Sequence, residues 1–395
     1  MSRISLEELR TRIENRKGEI IYWRREFHRH PEVAFQEHWT QQTLQKILHD
    51  WGIESQVIAG TGLRAIIQGQ EEGPTVALRA DMDALPLQEE GKKPVLSEVP
   101  GAAHCCGHDG HMAILLGAAR ALLDFKKFLP GRIVLIFQPA EELPPGGAKP
   151  MIEEGALEEV DAIFGLHLWQ PLPTGQVGLL AGPMMAQADN FEIEVRGQGG
   201  HGSMPHLTID PIWVAAQVIT NIQGLVSRET DPLHPLVISF GTIQGGTIYN
   251  IIPEKVELTG TVRTLDTTLQ ARIEERLAAV CELTAQAWRA EIGWKYQRGY
   301  PVLVNHEREV ELVREVVRKI WGEKRLIPIK PVMGGEDFAY YLQKIPGAFL
   351  FFGAGSGKSY PHHHPQFDID EEALSEAAYL LANIAWEYLE RHKPV

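Results

Sequence analysis

Short, nearly unbroken apolar runs alternate with stretches whose apolar positions recur every three or four residues through the first part of the chain. Residues 75–80, 132–137 and 161–166 read as strands, and the last two are rich in Ile, Val and Phe, as strands covered on both faces are. Residues 6–27 and 40–51 read as amphipathic helices. Residues 112–125 place Ile114, Leu115, Ala118 and Leu122 on one face, and Lys126 and Lys127 follow where a helix C-terminus favours positive charge. This order predicts an α/β fold with a mainly parallel sheet and helices on both of its faces.

From about residue 190 the period becomes two. Phe191, Ile193 and Val195 alternate with Glu192, Glu194 and Arg196, and Val256, Leu258, Gly260 and Val262 alternate with Glu257, Thr259 and Thr261, so these strands have one wet face. Helical stretches at 211–225 and 269–288 accompany them. After Pro301 the first pattern resumes, with a helix at 308–321, an apolar run at 348–352 and a helix at 371–388. The expectation is one domain, 1–184 and 296–395, interrupted by a smaller α+β domain, 185–295, with Gly182-Pro183 and the turn Arg298-Gly299-Tyr300-Pro301 as hinges.

Composition narrows the function classes. A length of 395 residues suits two or three domains, and 44% hydrophobic against 23% charged residues is ordinary for a globular chain. The formal net charge of −14 argues against a nucleic-acid partner, which needs a basic face. No run approaches the ~18 uncharged apolar residues of a membrane span, so no membrane partner is expected. Residues 1–20 mix acids and bases without the apolar centre of a secretory signal, which makes a cytoplasmic location the expectation. The three cysteines, Cys105, Cys106 and Cys281, are odd in number with two adjacent, which suits metal or redox chemistry better than a disulfide framework.

The densest chemistry is His104-Cys105-Cys106-Gly107-His108-Asp109-Gly110-His111, just before the helix at 112–125. Thiol, imidazole and carboxylate are the ligand types that zinc and its neighbours prefer. A helix start capped by Asp109 and a closed structural zinc site are the alternatives; the first leaves three histidines and two cysteines unexplained, and the second lacks a second paired ligand unit. Gln138-Pro139-Ala140-Glu141-Glu142 follows directly on the strand at 132–137, where a parallel sheet opens onto its ligand crevice. Adjacent carboxylates there are either solvated surface charge or a pair dividing labour, one binding metal and the other serving as base. His167 is expected at the end of the strand 161–166, as a ligand or a satisfied core histidine. His362-His363-His364 lie between Pro361 and Pro365 after the strand at 348–352 and a glycine-rich turn at 353–357, as ligands or a solvated loop. Asp81-Met82-Asp83 end the strand at 75–80 and are suited to orienting ligands through hydrogen bonds. Together Cys106, His108, Glu142, His167 and His363 exceed what one open catalytic zinc uses, and two ions fit them better.

These residues resemble a metallopeptidase family of aminoacylases and carboxypeptidases, and within it the N-acyl-L-amino-acid amidohydrolases, a branch that includes hippurate hydrolases and plant auxin-conjugate hydrolases. The resemblance runs nearly end to end, through Phe27-His28-Arg29-His30-Pro31-Glu32, Arg79-Ala80-Asp81-Met82-Asp83-Ala84-Leu85-Pro86, Cys106-Gly107-His108-Asp109-Gly110-His111, Gln138-Pro139-Ala140-Glu141-Glu142, Gly199-Gly200-His201-Gly202-Ser203-Met204-Pro205-His206, Gly334-Gly335-Glu336-Asp337-Phe338 and His362-His363-His364-Pro365. It implies an aminopeptidase-like catalytic domain with an inserted dimerisation or lid domain. It implies two divalent ions per chain, zinc first with manganese, cobalt or nickel also fitting, on Cys106, His108, Glu142, His167 and His363, and Glu141 as general base. From the inserted domain it implies His201 and Asn250 at the oxyanion, with His201 acting within its own chain or across a dimer; Arg263, in an alternating strand there, reads either as a fork for the substrate α-carboxylate or as a simple surface arginine. The implied reaction is hydrolysis of an N-acyl-L-amino acid by a homodimer or dimer of dimers. A carboxypeptidase or dipeptidase of the same family is the alternative within enzymes. A non-catalytic ligand-binding homologue is the alternative outside them, and all six ligand and base positions are filled. Two departures from family patterns stand out: Asp81-Met82-Asp83 replaces the His-x-Asp of other branches, and Cys105 stands where relatives have a small residue. Cys106 is preferred as the ligand thiol because it adjoins Gly107-His108.

Overall fold

The computed structural model describes residues 5–355, 357 and 360–394. It divides into two compact units, Met1–Gly182 with Val304–Lys330 and Asp337–Val395, and Pro183–Leu303 with Pro331–Glu336.

The first unit is built on an eight-stranded sheet. Its strands run in the order β1 (Ser55–Ile58), β2 (Gly62–Gln68), β4 (Pro130–Gln138), β3 (Glu71–Asp81), β5 (Ala162–Pro173), then Gly347–Gly355, Val177–Gly178 and Leu326–Ile327. The pairings β4 with β3, β3 with β5 and β5 with Gly347–Gly355 are parallel, while β1 with β2 and β2 with β4 are antiparallel, so the largely parallel sheet carries an antiparallel edge. In β3, Val76, Leu78 and Ala80 join the main core, and Ala77 and Arg79 between them are buried as well. Both faces of that strand are therefore covered, which is why its sequence reads as a run rather than an alternation.

Helices α1 (Leu6–Glu14), α2 (Lys17–Arg29), α3 (His38–Asp50) and α4 (His108–Leu123) precede or join these strands, and α4 packs against the terminal helix Glu372–His392. Residues 6–27, expected as one helix, are two: Ser5 caps α1 with a reciprocal bond to Glu8, and the chain breaks at Asn15–Arg16, just before Gly18 in the first turn of α2. The strand expected at 161–166 continues to Pro173, so His167 lies within β5 rather than at its end. Likewise α4 begins at His108, which brings the ligand-rich cluster into its first turn. The glycine-rich turn at 353–357 is partly taken up by the strand Gly347–Gly355, and Ser356 lies outside the described residues.

In the second unit, strands Leu236–Gly245, Lys255–Thr264, Gln187–Arg196 and Glu291–Tyr300 form an antiparallel sheet in that order. Phe191, Ile193, Val195, Val256, Leu258 and Val262 turn inward onto the helices Pro211–Gly224 and Leu269–Ala287, and Glu192 between them is exposed. The strand Glu291–Tyr300 keeps pairing with Gln187–Arg196 as far as Tyr300, across an irregularity after Gln297. Arg298–Tyr300 therefore belong to a strand rather than to a hinge, and this unit's long segment runs to Leu303, against the expected 295, with Pro331–Glu336 joining it.

Candidate active site

The strand ends of the first unit deliver the chemistry. Asp81, the last residue of β3, is in register with Gln138, the last of β4, so the segments that follow leave the sheet side by side. Asp83 spends both carboxylate oxygens on its neighbour: Oδ1 accepts from the Glu141 N–H at 3.0 Å and Oδ2 from the Glu142 N–H at 2.9 Å. The preceding residue, Ala140, has φ +54°, a left-handed conformation that costs a non-glycine residue about 1–3 kcal/mol. Its N–H donates to Glu37 Oε1 at 2.9 Å, and Glu37 Oε2 accepts from the Thr61 hydroxyl at 2.5 Å. Burial pushes the Glu37 carboxyl up to about 7, with the Asp83 charge adding to the effect and these hydrogen bonds opposing it.

Gly107, at φ +93°, turns the chain into α4 so that Cys106 stands just before the helix and His108 opens it. The His108 Nδ1–H donates to the Asp83 backbone oxygen at 2.9 Å, which leaves the lone pair on Nε2. That Nε2 is buried and, among the described residues, has no hydrogen-bond partner. It lies 3.7 Å from Asp81 Oδ2 and 3.9 Å from Glu142 Oε1. His167 repeats the device, donating Nδ1–H to the Leu168 oxygen at 2.8 Å with Nε2 3.4 Å from Cys106 Sγ. His363, itself at φ +64°, is anchored by its N–H to the Cys105 oxygen at 2.8 Å, and its Nε2 is 3.1 Å from Glu142 Oε1.

The ligand atoms of Cys106, His108 and His167 lie within 4.8 Å of one another, as do those of Cys106, Glu142 and His363 and those of His108, Glu141 and Glu142. His111 is different. Its Nδ1–H donates to Asp81 Oδ1 at 2.6 Å and its Nε2 accepts from the Leu168 N–H at 2.8 Å, so both ring nitrogens are used within the protein and neither has a lone pair for a cation.

The field at this cluster favours positive charge. Burial works against a charged His108, yet Asp81, Asp83 and Glu142 outweigh it and lift the ring to about 10. A position that would hold a proton so tightly attracts a divalent cation for the same reason. His167 is driven well below its ordinary value by burial and by the neighbouring His111 and His362, and so stays neutral, the ligand form. The Cys106 thiol is held high by burial and by Glu142, Glu141 and Asp81, so only a cation in the cluster would favour its thiolate. The orphaned His108 nitrogen and this donor set fit a metal centre.

Buried ion pairs brace the strands beneath. Arg79 on β3 donates from Nε to Gln138 Oε1 at 2.9 Å, from Nη1 to Asp81 Oδ2 at 2.8 Å and from Nη2 to Asp337 Oδ1 at 2.9 Å, while Asp337 also accepts from Gln138 and the Ala148 N–H. Asp109 does not cap α4: its Oδ2 accepts from Arg24 Nε at 2.8 Å and lies 2.7 Å from His28 Nδ1. The capping reading of Asp109 gives way to a pairing with α2, eighty-odd residues earlier in the chain. His362 Nε2 is 3.0 Å from the Leu168 oxygen, the same carbonyl that orients His167. Neither Glu37 nor Arg24 was marked by residue type or by any motif, Arg79 was marked only by its place inside a longer motif, and His111 was marked as part of the histidine-rich cluster.

His201, Asn250 and Arg263 belong to the second unit. There His201 pairs with Ile251 across two short antiparallel strands, Gly200–His201 and Ile251–Ile252, and the Gly202 N–H donates to the Asn250 oxygen at 2.8 Å, so His201 and Asn250 are neighbours. A Cβ on Gly202 would meet that oxygen at 3.0 Å, which explains the glycine. His201 Nδ1 accepts from the Ser203 N–H at 3.1 Å, which places the proton of a neutral ring on Nε2. Both residues are exposed. Arg263 is half-buried in the strand Lys255–Thr264, with Nε donating to Thr261 Oγ1 at 3.1 Å.

Sequence and fold comparisons show which family the chain belongs to. Residues 77–387 match the pattern of peptidase family M20/M25/M40. An N-acetyl-L-cysteine deacetylase of Bacillus subtilis is 41% identical, over 95% of this chain and 89% of that one. Thermostable carboxypeptidase 2 of Saccharolobus solfataricus is 39% identical, over 97% and 98% of the two chains. The crystal structure of the YxeP protein of Bacillus subtilis, described as a dinuclear metal-binding peptidase of the M20 family, superposes with a TM-score of 0.83 at 36% identity, covering 95% of this chain and 99% of that one. With four-fifths of its length matching that pattern and relatives aligned almost end to end, the chain belongs to peptidase family M20/M25/M40.

Proposed function

We propose that the protein hydrolyses the amide bond of N-acyl-L-amino acids with two divalent ions held by Cys106, His108, Glu142, His167 and His363. The observation that carries this reading is the convergence of three overlapping ligand groups, with His108 and His167 both donating Nδ1–H to backbone carbonyls and keeping Nε2 for a cation. Such a pair of ions would polarise the acyl carbonyl and lower the pKa of water towards 7. Zinc suits the mixed sulfur, nitrogen and oxygen donors first, and manganese, cobalt and nickel also fit.

Glu141, whose backbone is fixed by Asp83, takes a proton from the attacking water and delivers it to the leaving amine. Glu142 remains a ligand. His201, protonated on Nε2, donates to the oxyanion that forms on the acyl carbon, with Asn250 beside it as a second donor, and the fork of Arg263 binds the α-carboxylate. The products are a carboxylic acid and a free amino acid. The working form is a homodimer or dimer of dimers; its support is the exposed apolar set Ile243, Ile248, Tyr249 and Ile251 near the edge strand Leu236–Gly245. A cytoplasmic location goes with the three buried, unpaired cysteines, and no helix among the described residues is long and apolar enough to cross a membrane.

Metal analysis of the purified protein should find about two ions per chain, and rescue of chelated enzyme with each ion identifies the active metal. A substrate panel then sets N-acetyl and N-benzoyl amino acids against unblocked peptides. The carboxypeptidase relative makes peptide hydrolysis the second reading, and faster turnover of unblocked peptides would select it.

A further inference from the structure

The loop that carries Glu141 and Glu142 has three consecutive amides, at Ala140, Glu141 and Glu142, each accepted by a carboxylate oxygen from elsewhere in the chain. Asp83 takes the last two and is a near neighbour of the ligands. Glu37 takes the first with Oε1, while its Oε2 accepts from the Thr61 hydroxyl. It is the N-cap residue of α3, where an acidic side chain ordinarily accepts from the first turn of its own helix, yet it makes no such bond. Glu32 does that work instead, accepting from the Trp39 N–H at 3.0 Å and the Thr40 N–H at 2.9 Å. Relieved of capping, the fully buried Glu37 reaches the one non-glycine residue of the loop that is held in the left-handed conformation, Ala140. On its other side the Gly147 N–H donates to the Ala140 oxygen at 3.2 Å, so the Ala140 residue is gripped from both ends.

We propose that Glu37 is a positioning residue for the general base: by holding the Ala140 N–H it keeps the backbone turned so that the Glu141 carboxylate is aimed at the reacting water. This rests on the assignment of Glu141 as base. Without the Glu37 oxygen, Ala140 relaxes toward an ordinary φ and rotates the peptide that leads into Glu141. Asp83 still ties Glu141 and Glu142 to the strand end, so the ligand set survives while the aim of the base is lost.

The test compares Glu37→Ala, Glu37→Gln, Glu141→Gln and the double variant Glu37→Ala/Glu141→Gln in the metal-loaded enzyme. Glu37→Ala should lower kcat about 10- to 100-fold, the scale of a small misplacement of a catalytic group, with KM and metal content unchanged. Glu37→Gln keeps an oxygen for the Ala140 N–H and should recover most of kcat. In the Glu141→Gln background, with an activated N-trifluoroacetyl amino acid as substrate, adding Glu37→Ala should change the residual rate by less than about twofold, because both substitutions act through one group. The proposal is overturned if kcat, metal content and Tm fall together in Glu37→Gln as well as Glu37→Ala. It is equally overturned if kcat is unchanged in Glu37→Ala, or if its loss repeats in full in the Glu141→Gln background. Full activity in Glu141→Gln alone removes the base assignment itself, an outcome read without any Glu37 variant. Should Glu37→Ala not fold, Glu37→Asp serves: its shorter reach should cost kcat where Glu37→Gln does not.

Discussion

Under the proposed function His108 and His201 serve the same reaction, but the protein treats them in opposite ways. His108 is buried at the first turn of α4, tied to Asp83 and set among Asp81 and Glu142; His201 stands exposed on a short strand, its ring held by Ser203 two residues on. The contrast extends to their surroundings. In the first unit the reactive groups hang from strand ends cross-braced by Arg79, Gln138 and Asp337, with ring tautomers fixed by backbone carbonyls. In the second unit, the strand pairing that brings His201 beside Asn250 is two residues long. Groups that must hold cations against water need a rigid, satisfied frame. A group that only has to donate one hydrogen bond to a developing charge can sit on a lighter support.

That contrast can be broken at several points. Glu141→Ala should lower kcat about 10²–10⁴-fold while metal analysis finds the ions still present, since base and ligands are separate side chains. His201→Ala should lower kcat about 10²–10³-fold, the usual cost of losing one oxyanion donor, and leave both Tm and metal content unchanged; a parallel loss of metal would mean that the second unit is part of the rigid frame after all. Asp83→Asn should weaken metal binding about 10- to 100-fold in a competition titration with a chelator, because the amide nitrogen faces an N–H where an oxygen stood. Glu89→Gln should cost about 1–3 kcal/mol of unfolding free energy at neutral pH, the price of breaking a charged hydrogen-bond set.

The last effect has a defined pH window. Glu89 is bonded to His28, Lys93 and the Ser97 N–H, and although burial opposes its ionisation these partners bring it down to about 2. A carboxyl depressed in the folded state stabilises above its unfolded pKa of roughly 4.3 and stops doing so as pH falls through the folded value. The difference between the wild type and Glu89→Gln in denaturant unfolding should therefore be full above about pH 5 and shrink toward pH 2.

Much of the frame was legible because burial on both faces leaves a mark on residue choice: the apolar runs at 75–80 and 132–137 could be little else than central strands, and the alternation from Phe191 to Arg196 announced a sheet with one wet face. The gathering of Cys106, His108, Glu142, His167 and His363, the proposed ligands, was suggested by residue type and by their places near strand ends. What stayed hidden depends on partners distant in the chain. Asp109 looks like a helix cap until Arg24 and His28 are seen against it, and Glu37 looks like one more charge before a helix until Ala140, 103 residues on, is found bonded to it. His167 read as the end of a strand because a histidine and two nearby prolines interrupt the apolar run, yet its register with Phe351 carries β5 onward to Pro173.

The continuation of β5 past His167 has a practical consequence. Two residues on, on the same side of the strand, Trp169 lies with its ring 5.5 Å from that of His167 and 4.8 Å from that of His362, stacked at 4.0 Å on Phe351. The indole is thus a built-in reporter of the imidazoles beside it. Among nine tryptophans, the fluorescence difference between the wild type and Trp169→Phe isolates its emission, and following that difference while cations are titrated into chelated protein tests the proposed ligand role of His167 with no substrate present.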